Sequence, residues 1–132
     1  MKKRVKSADC PCGSGLLLSA CCGPRLAGER PAETAEALMR SRYTAYALGD
    51  EAYLLATWHP STRPDGLDLA ADPVKWVGLS VESCTGGQAG DAEGRVCFVA
   101  RYKAGGRAGR LAEDSRFLSE DGRWYYVDGE VG

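Results

Sequence analysis

Four of the six cysteines in this 132-residue chain crowd into one short stretch, Cys10-Pro11-Cys12 and then Cys21-Cys22, with Gly13-Ser14-Gly15 between the pairs. So short a segment brings four sulfurs to one point only by folding tightly back on itself. A Zn²⁺ ion asks for that arrangement, because it takes four donors at about 2.0–2.3 Å in a tetrahedron. Gly13 and Gly15 accept the positive φ values a reversal demands, and Pro11 stiffens the corner between the first two sulfurs. On this reading Cys10, Cys12, Cys21 and Cys22 hold a structural zinc, with no coordination position left for water or substrate.

Two other readings of the cysteines stand beside zinc: a disulfide framework and unliganded thiols. Disulfides belong to small exported domains, whereas Met1-Lys2-Lys3-Arg4 carries no apolar stretch of the kind that makes a secretory signal. No run approaches transmembrane length either. The expectation is a reduced, cytoplasmic chain with no membrane partner. Adjacent ligands at Cys21 and Cys22 require a turn in the backbone between them. In the alternative, one of them stands behind the site and His59, the single histidine, completes it.

Charge is distributed unevenly. Lys2, Lys3, Arg4, Lys6, Arg25 and Arg30 outnumber Asp9 and Glu29 in residues 1–30, although the whole chain is at −1. A basic segment attached to an acidic body suits phosphate or an acidic protein surface, and equally suits a solvated terminus. With 44% hydrophobic residues, the remainder of the chain suffices for one buried core. The division expected is 1–30 for the zinc-binding segment and 31–132 for the body.

The body opens with helical periodicity. Pro31 suits a first helical turn and Gly49 a stop, while Ala35, Leu38, Met39, Tyr43, Tyr46 and Ala47 recur at three- and four-residue spacing. Glu36, Arg40 and Thr44 mark the opposite, polar side, so one buried face is expected. Asp50 can cap a second short helix running to about Trp58, ended by Pro60. Residues 61–73 read as a surface connection. Period-two patterning then predicts strands over 74–83, 95–104, 108–119 and 123–129, with turns at Gly86-Gly87, Gly105-Gly106 and Asp121-Gly122. Helices first and an antiparallel sheet afterwards make an α+β domain whose sheet covers its apolar face with those helices.

Strand parity nominates an interior. Leu111, Glu113, Ser115 and Phe117 share one face of the third predicted strand, and the apolar members turn that face inward. Glu113 and Ser115 are then polar groups in an apolar concavity, requiring hydrogen bonds or a ligand. Tyr43, Trp58, His59, Trp76, Tyr102 and Tyr126 are the expected remaining wall residues. Glu113 with His59 forms a candidate acid–base pair. Against it stands a structural role, with Glu113 paired to Arg42 or Arg101 and His59 capping the helix it follows.

The cysteine pattern with its internal Gly13-Ser14-Gly15 resembles the SEC-C zinc motif, found at the C-terminus of the SecA translocation motor and elsewhere in bacteria. The run Thr34 to Tyr46, the block Thr57-Trp58-His59-Pro60-Ser61-Thr62-Arg63-Pro64, the triplet Ser115-Arg116-Phe117 and the segment Gly122 to Gly129 together resemble the uncharacterised bacterial YchJ family. The resemblance covers nearly the whole chain. It implies a curved sheet wrapped around the N-terminal helices into a cone with a mouth, of nuclear transport factor two-like fold, preceded by a small zinc knuckle. Two positions depart from the pattern: Leu16-Leu17-Leu18-Ser19-Ala20 replaces the basic and aromatic residues usual between the cysteine pairs, and Ala112 stands where a histidine is expected before the glutamate.

Function is therefore expected to be that of a zinc-binding adaptor or ligand-binding protein. The knuckle would contact a protein or ribosomal partner, and the cone would take a small molecule or a peptide. The resemblance leaves the outer face of the sheet available for a homodimer. The alternative is a small hydrolase- or isomerase-type enzyme using Glu113 and His59. Neither Cys84 nor Cys97 belongs to a Cys-x-x-Cys redox pair, and the chain carries no phosphate-loop signature.

Overall fold

A computed structural model describes residues 9–69 and 74–132. The basic run at Lys2 to Lys6 and the end of the connection at residues 70–73 lie outside the described residues. In chain order the elements are a 3₁₀ turn at Leu18–Ala20, α1 (Gly23–Leu26), α2 (Ala35–Leu48), α3 (Glu51–Ala56), β1 (Lys75–Gly86), β2 (Glu93–Ala104), β3 (Arg107–Glu120) and β4 (Arg123–Val131). The four strands form one curved antiparallel meander in the order β1-β2-β3-β4, and α2 packs across its concave side against β1, β2 and β4. No helix among the described residues is long and apolar enough to cross a membrane.

The start of α2 differs from the sequence expectation. Pro31 lies outside the helix, and Thr34 caps it instead, its hydroxyl accepting the Ala37 amide at 3.0 Å. A side-chain acceptor satisfies one of the orphan amides of the first turn, which a proline cannot do. Gly49 closes the helix in the left-handed region at φ 78°. Asp50 caps α3 by accepting the Tyr53 amide at 3.1 Å, and α3 ends at Ala56, before the expected boundary.

A second difference is larger. Eight residues of α2 are buried: Ala35, Leu38, Met39, Ser41, Arg42, Tyr43, Thr44 and Ala45. This is two faces of the helix, not one. Leu38 and Met39 meet the sheet, while Thr44, with no exposure at all, lies against the cysteine segment. The four cysteines share one buried cluster with Ala35, Leu38, Met39, Tyr43, Phe98 and Phe117. They form part of the same interior as the body, not a separate appendage. Burial of each large aliphatic side chain there, Leu38 for example, stabilises the fold by about 1.5–3 kcal/mol.

The sheet is longer than the period-two pattern suggested. β1 runs on through Gly86, which pairs with Gly94, so the first hairpin turns at Gly87 to Ala92 and not at Gly86-Gly87. Irregularities between Trp76 and Gly78 and between Val81 and Ser83 absorb the extra length and bend the strand. The last hairpin turns at Asp121-Gly122, where both residues take positive φ (53° and 79°), as a two-residue turn of the primed type requires. Past α3 the chain lies along the outer edge of β4. His59 donates its amide to the Tyr126 carbonyl at 2.7 Å, and Tyr126 donates its own to Thr57 at 2.8 Å. That pairing covers what would otherwise be an open sheet edge.

Candidate functional site

The cysteine site is built on two reversals. The Cys10 amide donates to the Leu16 carbonyl at 2.9 Å, closing a loop whose glycines Gly13 and Gly15 adopt φ of 81° and 86°. At the second, Cys21 takes φ −129° and ψ −101°, an uncommon backbone conformation that turns successive side chains toward the same side. The structure therefore brings both Cys21 and Cys22 to the cluster. His59 takes no part in it.

All four sulfurs lie within 4.8 Å of one another and are buried. Cys12 Sγ is 3.7 Å from Cys21 Sγ, and Cys21 Sγ is 4.0 Å from Cys22 Sγ. Four sulfurs about 2.3 Å from a central ion would be spaced about 3.8 Å apart, so the cage fits a tetrahedral metal centre. A disulfide requires sulfurs at about 2.05 Å, and all six cysteines are free thiols. Such a soft, four-sulfur donor set suits zinc or iron.

The thiols of the cluster influence one another's ionisation. Accepting a hydrogen bond from Cys22 is the main influence lowering the Cys12 thiol to about 4, and Cys22, as the donor, is pushed up. Burial raises Cys21 despite the hydroxyl of Ser14, which donates to its sulfur at 3.2 Å. One thiolate is thus stabilised at the expense of its neighbours. Only a positive ion lets all four carry charge together.

The cysteine segment is held in place from α1 and α2, through one sulfur and two backbone carbonyls. Thr44 Oγ1 lies 3.6 Å from Cys10 Sγ, and Arg40 Nη1 donates to the Cys12 carbonyl at 2.9 Å while its Nε pairs with Glu36 at 2.9 Å. Arg25, in α1, donates to the Cys21 carbonyl at 3.0 Å. Gly23 is required by space, since a Cβ there would stand 2.7 Å from the Leu18 carbonyl oxygen.

The second site is the concavity under the sheet, a cavity of about 260 Å³. Tyr43, Tyr46 and Trp76 form one aromatic wall. Phe98, Leu111 and Phe117 come from the sheet, and the polar groups are Arg42, Glu113, Ser115 and Tyr126. Of the eight side chains expected to line a pocket, five do so. Trp58, His59 and Tyr102 do not.

Each exception has a physical reason. Tyr102 stands behind Trp76, ring centroids 5.5 Å apart, in a space that Gly109 leaves free for it. Trp58 packs edge-on against Tyr126 at 5.1 Å and holds the guanidinium of Arg42 at 4.9 Å from its ring. His59 lies beside Tyr125, whose side chain points to the face opposite Tyr126, and is held by Glu120 at 2.8 Å and Ser61 at 2.7 Å. The expected Glu113–His59 pair does not form.

Glu113 is not in an ion pair either. Its Oε2 accepts from Ser115 Oγ at 2.6 Å and from the Tyr126 hydroxyl at 3.1 Å. Arg101 instead donates to Ser80 at 3.1 Å on the other face of the sheet. Arg42 gives Nη1 to the Leu54 carbonyl at 2.8 Å and to Thr57 Oγ1 at 2.7 Å, and lies 4.7 Å over the Tyr126 ring. Burial lowers Arg42 from the ordinary arginine value without removing its charge. Burial, reinforced by the negative charge of Glu113, raises Tyr126, so its hydroxyl remains a donor.

As a site residue, Gly129 is absent from the sequence expectations, and Arg42 enters them only as an ion-pair partner of Glu113. Arg42 sits on the helix face that periodicity assigned to apolar side chains. Gly129 lies opposite Ser115 in the β3–β4 ladder, and a Cβ there would overlap the Glu113 carboxyl group. A glycine late in a strand, with no turn to require it, was the available signal.

Comparison with known proteins places these features in a wider set. Residues 7–24 match the SEC-C motif, and residues 34–129 match the family described as YchJ, middle NTF2-like domain. A UPF0225 protein of Chromobacterium violaceum is 62% identical, over 98% of this chain and 97% of its own. One from Bordetella pertussis is 49% identical over 99% of both chains. The solution structure of a SEC-C motif containing protein from Rhodopseudomonas palustris is similar with a TM-score of 0.82 and 38% identity, covering 93% of this chain and 98% of that one. The crystal structure of a SEC-C motif containing protein from Psychrobacter arcticus gives 0.75 and 29%, covering 93% and 82%.

Proposed function

The chain belongs to the YchJ family, in which a SEC-C motif is joined to a nuclear transport factor two-like domain, and from that premise we propose that it is a non-enzymatic ligand-binding adaptor with a structural zinc. The observation that carries this reading is the cavity: its carboxylate, Glu113, is hydrogen-bonded to Ser115 and Tyr126, while the single histidine is held by Glu120 outside it. An acceptor on an apolar wall is equipment for binding. The imidazole that would complete an acid–base pair with Glu113 lies outside the cavity, and the Tyr126 hydroxyl beside the carboxylate is engaged as its donor.

Zinc is the metal that four buried thiols favour, and Cys10, Cys12, Cys21 and Cys22 are the residues that would hold it. When bound, it supplies cross-linking and charge neutralisation, with no open position for substrate. The residues around it do the rest. Arg40, Thr44 and Arg25 fix the loop against the helices, and Leu16 and Leu17, 53% and 52% exposed, form an apolar tip beside the site. That tip is the surface we assign to a protein or ribosomal partner.

The enzymatic alternative has one observation in its favour, an open cavity in which Glu113 is not closed into an ion pair. Against it, the histidine of that reading is held outside the cavity by Glu120, and the titrating group beside Glu113, the Tyr126 hydroxyl, is kept protonated as the carboxylate's donor.

Native mass spectrometry of protein purified under mild conditions tests the binding reading. A small molecule bound in the cavity should be retained by the intact protein and lost from Ala100→Phe, which fills the cavity. Pull-down with Leu16→Ser, Leu17→Ser and with Cys10→Ser, Cys12→Ser tests the adaptor reading. Partner lists identical to the unaltered protein's would remove this segment as the contact.

A further inference from the structure

The cavity has a defined polar pole. Of the two carboxylate oxygens of Glu113, Oε2 takes both donors available, Ser115 and Tyr126, and Oε1 receives none from the described residues. The position of this carboxyl group is specified by the sequence around it: Gly129 leaves the space it occupies, and Ser115, 1% exposed, fixes one oxygen from below. Oε1 is not among the buried polar atoms left without a partner, so it is an acceptor that the donor of a ligand in the cavity can reach.

The remaining wall specifies what carries that donor. Tyr43, Tyr46 and Trp76 present aromatic surface, with Trp76 meeting Tyr43 edge-on at 6.0 Å and Tyr46 at 6.3 Å. Ring faces carry negative potential and attract cations. Phe98, Leu111 and Phe117 accept an apolar body. A volume of about 260 Å³ falls just below the range usual for drug-sized ligands, so the occupant is small.

Among the described residues lining the cavity, Arg42 is the one group that would oppose a second cation, and its charge is directed elsewhere. Nη1 is engaged by Leu54 and Thr57, and Tyr126 stands between the two charges, its ring under the guanidinium and its hydroxyl on Glu113. The charge that faces an incoming head group is the carboxylate.

We propose that the cavity binds a small organic amine, its ammonium group on Glu113 and its aromatic or branched apolar body against Trp76 and Phe98. The proposal rests on the binding reading given above and adds the chemical class of the ligand. Charge complementarity decides between amine and acid, because an anionic head group would be repelled by Glu113, while the guanidinium of Arg42 is already engaged by Leu54, Thr57 and the ring of Tyr126. A neutral alcohol fits the same space but gives up the charge-assisted bond, which is roughly twice as strong as its neutral counterpart.

The test compares three probes with similar bodies, phenethylamine, phenethyl alcohol and hydrocinnamate, titrated at neutral pH into isotopically labelled zinc-loaded protein and followed by NMR. The amine is expected to bind about tenfold more tightly than the alcohol, and hydrocinnamate more weakly than both. In Glu113→Gln the amine should fall to the affinity of the alcohol, while the alcohol's own affinity changes by less than about twofold. Equal affinities in the unaltered protein, or an amine preference that survives in Glu113→Gln, would overturn the head-group assignment while leaving the cavity as a binding site. Absence of shifts at cavity residues for all three probes would overturn the binding reading itself. The comparison among probes on the unaltered protein keeps the proposal open to refutation even where the variant folds poorly.

Discussion

Thr44 Oγ1 stands 3.6 Å from Cys10 Sγ, joining the middle of the longest helix to the first residue of the cysteine site across 34 positions of sequence. Both are buried, and the contact ties the metal cage to the helix that forms one side of the ligand cavity. Thr44→Val keeps the shape and removes the hydroxyl. It should cost about 1 kcal/mol in denaturant unfolding and weaken zinc binding by about tenfold or more in competition with a chelating dye.

Removing the metal should disturb more than the loop that holds it. The sulfurs lie in the same buried cluster as Leu38, Met39 and Phe117, so four uncompensated thiols would loosen α2 as well as residues 9–23. Hydrogen exchange on chelator-treated protein should show lost protection at Leu38 to Ala45 in addition to the cysteine loop. Protection unchanged in α2 would mean that the loop is energetically separate.

Arg42 links α2 to the end of α3 through Leu54 and Thr57 and stacks on Tyr126. Arg42→Ala removes two hydrogen bonds from groups that stay buried and opens a void between aromatic rings. A loss of about 1–3 kcal/mol for each buried acceptor left unsatisfied is expected, read as a lowered denaturant midpoint. Arg42→Lys should recover only part of it, because an ammonium cannot reproduce the planar fork.

Gly129→Ala places a methyl group where the Glu113 carboxyl now lies. The carboxyl is the flexible partner and should move, at a cost of about 1–3 kcal/mol. The NMR signals of Ser115 and Tyr126 should shift, and any ligand affinity that depends on Glu113 should fall.

Thiol reactivity should separate the cysteines into two groups. In the zinc-loaded protein Cys84 and Cys97 should be alkylated and the four clustered thiols protected, as mass mapping can show. Burial, with added repulsion from the nearby carboxylate of Glu36, raises the Cys84 thiol. Its thiolate fraction at neutral pH is therefore below that of free cysteine, and alkylation should be slower. Glu36→Gln should accelerate it, since the carboxylate charge, the largest influence after burial, is removed. An unchanged rate would assign the shift to burial alone.

Much of this was legible in the residues. The cysteine spacing, the glycine-assisted reversal, the Asp50 cap and the Asp121-Gly122 hairpin are local, and local chemistry leaves local marks. What could not be read is what long-range packing decides. Arg40 and Thr44 look like a solvent-facing stripe because their partners, the Cys12 carbonyl and the Cys10 sulfur, are distant in sequence. Adjacency to Trp58 puts His59 in the cavity on sequence grounds. Its true side was fixed by the pairing of residues 57–59 with β4, which has no alternating signature of its own. The Glu113 environment is half legible: parity turns it inward, but its choice of Ser115 and Tyr126 over Arg42 depends on Gly129 and on the Leu54 carbonyl and Thr57 hydroxyl that engage the arginine.

The central claim, that four thiolates of one buried cluster hold a zinc ion, is tested most directly by zinc-edge X-ray absorption on the purified, reduced protein. One zinc per chain with four sulfur neighbours at about 2.3 Å is the expected result. A first shell containing nitrogen or oxygen donors, or no stoichiometric metal, would contradict it.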